Sequence, residues 1–441
     1  MPTAGSEVDP NAQRLISAAR APAEEIGAHL DRPLSVKLWD GSMVPLGRGA
    51  RGDLAIVIRD PGALPSLLRW PTLDRLIRLY AHGHIDFEGG TLIDIGEALG
   101  GASARKSLRG LKKSRLARLL YPFLLAPGVA AGRTRDFAGD AEGRNRAGRD
   151  EKRYMQFHYD VGNAFYALFL DAAMVYTCAY FTDWSHSIDK AQFDKLEMIC
   201  RKLRLAPGDR MLDIGCGWGG LICHAAKHHG VTVLGVTLAE EQFAYAQERI
   251  RREGLEDRVR VELKDYRNVE GTFDKISSIG MYEAIGVAAV PEYLTKVRSL
   301  LSDDGLFLNH GITRRSKKRR VRFTARPEQR ALVTYIFPGG ELDDIGNTIA
   351  EMERHRFEVH DVEGWREHYA QTTKLWCERL TARRAEAVAL VGEETTRIWL
   401  AYLAGCSLAF TRGTATLYQT LASKRRHGRS PLPPTRADLY R

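Results

Sequence analysis

The sequence has no run of about 18 consecutive apolar residues, the length a helix needs to cross a bilayer. Its opening, MPTAGSEVDPNAQ, lacks the basic start and apolar stretch of a secretory leader. Internal repeats and low-complexity tracts are absent as well, which argues against a solenoid or a disordered chain. Cysteine is scarce: six residues, at 178, 200, 216, 223, 377 and 406, with no Cys-x-x-Cys pair. That argues against a disulfide framework and reads as a reduced interior. Cys223, His224, His228 and His229 fall on a helix pattern behind a glycine loop with no second cluster in sequence, so they read as ordinary helix residues and no metal is expected. From these features the protein is expected to be cytosolic or attached to a membrane only from one side.

What is present is globular: 441 residues, 44% hydrophobic and 27% charged, with 41 glycines spread along the chain. That length accommodates two domains or one large one. The net charge of +10 is concentrated. Arg105 to Arg118 holds seven basic residues and no acid, and Arg314 to Arg330 holds nine against Glu328 alone, so these two stretches outweigh the whole-chain excess. Such clusters fit a polyanion, either nucleic acid or an anionic lipid face. A solvated, arginine-rich surface is the competing reading.

Residues 1–131 read as a small α+β domain, with SVKLWDG and DLAIVIRD as short strands and Leu64 to His82 as a helix interrupted by Pro71. Its last part mixes the first basic cluster with Leu108, Leu111, Leu116, Leu119, Leu120 and Tyr121, as an interfacial helix requires, or a surface helix packed on its own domain. Residues 132–149 are glycine-rich and charged and read as a linker. From 150 to 441 apolar strands alternate with amphipathic helices: RMLDIGCGWGG, VTVLGVT, RVRVELKD, FDKISSI and GLFLNH are the strands. The pattern predicts a doubly wound α/β parallel sheet with its ligand at the carboxyl ends of the strands. The tail from Ser423 reads as irregular.

Asp213-Ile-Gly215-Cys-Gly217-Trp-Gly219-Gly220 links the first of these strands to a helix. Glycines there permit a tight turn and close backbone approach to a ligand at a helix N-terminus. An acid two residues before the first glycine, and the spacing Asp-x-Gly-x-Gly-x-Gly, resemble the first motif of class I S-adenosylmethionine-dependent methyltransferases rather than a dehydrogenase fingerprint. A basic methyltransferase fits nucleic acid in principle. The chain lacks, however, the Asn/Asp/Ser-Pro-Pro-Tyr/Phe tetrapeptide of amino-group nucleic-acid methyltransferases and the Pro-Cys nucleophile of cytosine carbon methylation.

Phe157 to Phe181, FHYDVGNAFYALFLDAAMVYTCAYF, opens a series of five ordered segments that continues with LDIGCGWGG, GVTLAEEQ, SIGMYEAIG and YIFPGGELD. The series resembles the cyclopropane fatty acid synthase family, which includes the mycobacterial mycolic acid cyclopropane synthases, and the N-terminal unit is similar to the lipid-facing domain of the phospholipid-acting members. The resemblance implies a Rossmann-like catalytic domain that places Tyr176, Thr177 and Cys178 over the methionine part of S-adenosylmethionine. It further puts Gly215 and Gly217 against the cofactor, Thr237 and Gln242 at the ribose, and Asp265 and Tyr266 beside the adenine. It also implies a bicarbonate ion beside the sulfonium, held by Cys178, Glu283, His310, Tyr335 and the backbone of Ile312. Cys406 matches a position marked as an active-site cysteine in the family, although its spacing with Leu403 and Phe410 reads as a buried helix face.

The implied chemistry explains this set. An isolated olefin is a poor nucleophile, so the methyl donor must be held in line in a dry pocket. Attack leaves a carbocation on the acyl chain, which aromatic faces soften; Phe157, Tyr159, Phe181 and Tyr282 are the candidates. Loss of a proton from the added methyl then closes a ring, with Glu283, His310 and Tyr335 arranging the base. The sequence departs from the family at Ala284, where many members carry histidine after the glutamate. That puts the product in doubt between a cyclopropane and a methyl- or methylene-branched chain. The expected partner is an anionic phospholipid bilayer with unsaturated acyl chains, at the inner face of the cell membrane, with no nucleic acid; related bacterial enzymes imply a homodimer.

Overall fold

The computed structural model describes residues 10–50, 52–100, 107, 110–130, 132–143, 149–316, 323–430 and 432–440. Two compact units emerge. The first is Met1–Arg135 with Gly392–Leu408, and the second is Asp136–Val391 with Ala409–Arg441.

In the first unit, β1 (Ser35–Lys37), β2 (Met43–Pro45), β3 (Ala55–Ile58) and β4 (Ile85–Glu88) form a sheet in the order β2-β1-β3-β4. Helices Ala63–Arg69 and Leu73–Ala81 lie on either side of Pro71, which has no N–H for a continuing helix. Leu38, Val44, Ile58, Leu79, Ile85 and Phe123 pack into one core. Helix Arg384–Thr411 is kinked at Gly392, whose φ is 81°. Beyond that kink Arg397 reaches Asp86 Oδ2 at 3.0 Å and the Tyr80 carbonyl at 3.1 Å. Sequence periodicity assigned 392–408 with the rest of 150–441; buried polar contacts of this kind, which periodicity does not register, place the segment in the first unit.

The second unit is built on a seven-stranded sheet. Its strands are β5 (Arg210–Ile214), β6 (Thr232–Thr237), β7 (Val259–Leu263), β8 (Phe273–Ile279), β9 (Leu301–Arg314), β10 (Phe357–Gly364) and β11 (Ala415–Lys424). They lie in the order β10-β11-β9-β8-β5-β6-β7. The five strands read from sequence are all present and parallel. β11 departs from the all-parallel expectation, running antiparallel between β9 and β10. Alternation along the strands buries both faces: Met211, Val233, Leu306 and Leu308 enter one core, and Leu212, Val236 and Phe307 the other. Helices cover both faces, so this is the class I methyltransferase architecture, a Rossmann-like mixed sheet.

Helix Ile188–Leu203 shows how local chemistry bounds these elements. Ser187 accepts the Lys190 N–H at its start, and Arg204 in the left-handed region, φ 50°, ends it. Residues 136–143, within the stretch read as a linker, are docked in the second unit. Phe137 N–H donates to the Thr334 carbonyl at 3.0 Å, and its ring packs edge-on to Tyr154 and Phe157.

Candidate functional site

The strand order reverses about β5, which leads to β6 on one side and pairs with β8 on the other, so a crevice opens beyond their carboxyl ends. The glycine turn sits there. Gly215, Gly217 and Gly219 take φ of 81°, 54° and 84°, and a Cβ on Gly217 would meet nothing within 4 Å. Gly215 and Cys216 anchor the turn by donating to the Val236 carbonyl. Asp213 is buried, accepts Ser277 Oγ–H at 2.6 Å and is pushed up to about 6 by burial. That bond ties the end of β5 to β8 just before the turn.

At the end of β6, Thr237 Oγ donates to Gln242 Oε1 at 2.9 Å and accepts the Ala239 N–H. Asp265, after β7, is engaged by the Arg267 backbone and guanidinium, and the Tyr266 ring is buried edge-on to Tyr293. Gly215, Gly217, Thr237, Gln242, Asp265 and Tyr266 thus fall at or beyond the carboxyl ends of three neighbouring strands.

The segment Tyr176-Thr177-Cys178 is held from below by helix Ile188–Leu203. Gln192 Nε2 donates to the carbonyls of Val175 and Thr177, and Lys195 Nζ donates to Thr177 Oγ at 2.7 Å. Thr177 packs against Gly280, where any Cβ would approach its methyl to 2.7 Å. The Tyr176 ring stacks on His158 and meets Tyr166 and Trp376. Cys178 is fully buried and directs its thiol to the carbonyls of Ala179 and Trp365. Burial drives its pKa strongly up, so it is a thiol and no nucleophile.

Glu283 follows β8 on the short helix Tyr282–Ile285. Its Oε1 accepts the Ile312 N–H at 2.8 Å, while Oε2 is buried without a hydrogen-bond partner. The expectation gave the Ile312 N–H to an anion; here the Glu283 carboxylate takes it. Burial pushes the Glu283 carboxyl up to about 7. His310 lies on β9 two residues before Ile312, on the same strand face, roughly 7 Å away along the chain. It is wholly buried, and burial together with the Lys195 and Lys202 ammonium groups holds its pKa far below the usual imidazole range, so the ring is neutral. Its Nδ1 faces Gln419 Nε2 at 3.0 Å, and its Nε2 is buried without a partner. Trp365 packs its ring edge-on to His310 and accepts from Cys178 through its backbone carbonyl, so those two predicted residues meet at one residue.

Tyr335 is buried at the end of helix Pro327–Tyr335. The loop after it returns Glu341, whose N–H donates to the Glu283 carbonyl at 3.0 Å. Cys406 belongs to the first compact unit, whereas every other predicted site residue belongs to the second. Its thiol is pushed up to about 12 by burial.

The four aromatic candidates separate. Tyr159 packs on Trp218 and Tyr166, Phe157 on Phe137, Phe181 on Trp184 and His368, and Tyr282 on Tyr293. Lys195, Lys202, Trp365 and Gln419 were not singled out from sequence. For the lysines a signal exists: positions 195 and 202 fall on the buried face of an amphipathic helix, where a cation is out of place.

His224 and His229 do meet a second cluster in space, with Cys200 within 4.8 Å of both. Glu197 Oε2 stands 3.3 Å and 3.1 Å from their Nε2 atoms, and Arg201 takes its other oxygen. Ring N–H groups bonded to one carboxylate account for this convergence.

Two buried polar atoms of complementary kind, Glu283 Oε2 and His310 Nε2, have no hydrogen-bond partner, and the glycine turn beyond β5 leaves room for close backbone approach by a cofactor. The mycolic acid cyclopropane synthetase family matches residues 147–420. A probable fatty acid methyltransferase of Pseudomonas putida is 38% identical over 415 residues, 93% of this chain and 97% of its own. The cyclopropane-fatty-acyl-phospholipid synthase of Escherichia coli K12 is 38% identical over 267 residues, 60% of this chain and 66% of its own. The solved structure of the mycolic acid cyclopropane synthase CmaA1 with SAH and CTAB superposes with a TM-score of 0.60 at 32% identity, covering 62% of this chain and 99% of that one. The chain belongs to the mycolic acid cyclopropane synthetase family and is an S-adenosylmethionine-dependent methyltransferase.

Proposed function

We propose that the protein methylates the cis double bond of unsaturated phospholipid acyl chains and that the resulting cation closes to a cyclopropane. The observation that carries this reading is the combination of Glu283 Oε2, just beyond β8, and His310 Nε2, on the adjacent strand β9 opposite the last residue of β8, both buried and unpartnered. S-adenosylmethionine, when bound, supplies the electrophilic methyl group. Gly215, Gly217, Thr237 and Gln242 position it, and the buried surroundings exclude water that would quench the cation. Glu283, poised near neutral pH, is the group that receives the proton lost on ring closure. His310 Nε2 and Glu283 Oε2 are also the atoms that would hold bicarbonate.

A second reading, a methyl- or methylene-branched product, is favoured by two observations. Ala284 follows Glu283, and its carbonyl accepts from Arg149. The relative matched across nearly the whole chain is described as a fatty acid methyltransferase.

The bilayer is the proposed partner. Helix Lys113–Leu125 exposes Tyr121, Leu124 and Leu125 alongside Lys112, Arg115 and Arg118, and Arg69 caps it at the Leu124 carbonyl beside the exposed Trp70. Exposed aromatic and leucine side chains among cations fit an anionic lipid surface better than a polynucleotide. Arg105, Lys106 and Arg109 of the first basic cluster, and residues 317–322 of the second, lie outside the described residues.

The test is fragmentation of lipids from cells expressing the protein, resolved to the position of modification. A ring at the former double bond supports the first reading and a branch supports the second. Unmodified acyl chains in cells holding folded, cofactor-binding protein would overturn both.

A further inference from the structure

We infer that Gln419 and Lys202 are positioning residues that lock His310 in the tautomer carrying its proton on Nε2, so that it enters the reaction as a hydrogen-bond donor and never as a base. The lock runs through three buried side chains, Lys202, Gln419 and His310. Lys202, with its side chain 2% exposed, forms an ion pair with Glu363, and its Nζ lies 5.1 Å from the Trp365 ring centre. That carboxylate keeps Nζ an ammonium, which has donors only. Nζ donates to Gln419 Oε1 at 2.7 Å. The amide is therefore fixed with its oxygen toward Lys202 and its NH2 toward His310.

Gln419 Nε2 stands 3.0 Å from His310 Nδ1. A donor facing Nδ1 requires that nitrogen to accept, so the single proton of the neutral ring is on Nε2. The imidazolium alternative would set two N–H groups against each other, next to two buried ammonium groups. β11 carries Gln419 directly opposite His310 on β9, so the sheet register itself delivers the contact.

For the proposed reaction, on which this role rests, the consequence is a division of labour. His310 Nε2–H steadies negative charge, and the proton leaving the substrate falls to Glu283.

The test reads the tautomer directly, by nitrogen-15 long-range correlation spectra of histidine-labelled full-length protein, with the His310 signals assigned through His310→Gln. In the unmodified protein Nδ1 is expected at an imine-type shift and Nε2 at a pyrrole-type shift. Gln419→Glu presents an acceptor to Nδ1 and should reverse the two shifts. It should also lower kcat at least tenfold while S-adenosylmethionine binding stays within twofold. Lys202→Arg, which keeps a donor toward Gln419 Oε1, should preserve the Nε2–H pattern, whereas Lys202→Met should yield a mixture. A pyrrole-type Nδ1 in the unmodified protein, or an unreversed pattern in folded Gln419→Glu, overturns the inference. Because the tautomer is read without acyl substrate, failure of the proposed function leaves this result intact and distinguishable.

Discussion

Glu283 concentrates the conflict between stability and chemistry in one side chain. The unfolded chain releases its proton near 4.5, whereas burial retains it to about 7 in the folded state. Across that window the native state binds more protons, so this residue's contribution makes stability fall as pH rises and then level off. The cost at alkaline pH is on the order of 3 kcal/mol. Glu283→Gln should therefore unfold at higher denaturant than the unmodified protein at pH 8, with the difference vanishing toward pH 4.5. The same variant should lose turnover and the rise in turnover expected through pH 7. If Glu283→Gln instead proved less stable at pH 8, burial would not be what perturbs this carboxyl. The identity of Glu283, His310 and Cys178 was legible because each stands in a recognisable segment. Their protonation was not: for Glu283 and Cys178 it follows from burial, and for His310 it depends as well on Lys195, Lys202 and Gln419, which come from a helix and a strand far away in sequence from it.

At the scale of elements, the glycine turn depends on its neighbour β6. A Cβ on Gly235 would stand 2.9 Å from Cys216 Cβ and Sγ and 3.0 Å from Ile222. Gly235→Ala should destabilise the second unit by about 1–3 kcal/mol through overpacking. It should also weaken S-adenosylmethionine binding, because Cys216 is part of the turn. Denaturant unfolding and calorimetric titration check the two effects, and unchanged values in both would mean that the turn is more yielding than its packing implies. The five parallel strands were legible because each is a short apolar run bounded by turn residues. β10 and β11 were not: FEVHDVEG and ATLYQTLASK are polar enough to read as loop or helix, and only the pairing of β11 with β9 and of β10 with β11 makes them strands.

For the molecule as a whole, the charge excess and the exposed apolar residues of the first unit lead to one measurement. Among the described residues no helix is long and apolar enough to cross a membrane, so any attachment through them rests on surface side chains. Replacing Trp70, Leu124 and Leu125 by serine should lower co-sedimentation with phosphatidylglycerol vesicles at every salt concentration, since each buried side chain contributes roughly 2 kcal/mol. Replacing Lys112, Arg115 and Arg118 by glutamine should lower it at low salt and matter little at high salt, at about 1 kcal/mol per charge. Sedimentation unchanged by both sets would remove the docking surface. The sequence by itself determined the family, the cofactor class, the parallel strands and most of the residues at their ends, because spacing and local hydrophobic pattern are properties of contiguous segments. The tertiary structure alone decided that segment 392–408 joins the first unit, that Glu283 takes the Ile312 N–H, and that Lys202 and Gln419 set the His310 proton. Burial and hydrogen-bond direction are relations between distant segments, and no local pattern encodes them.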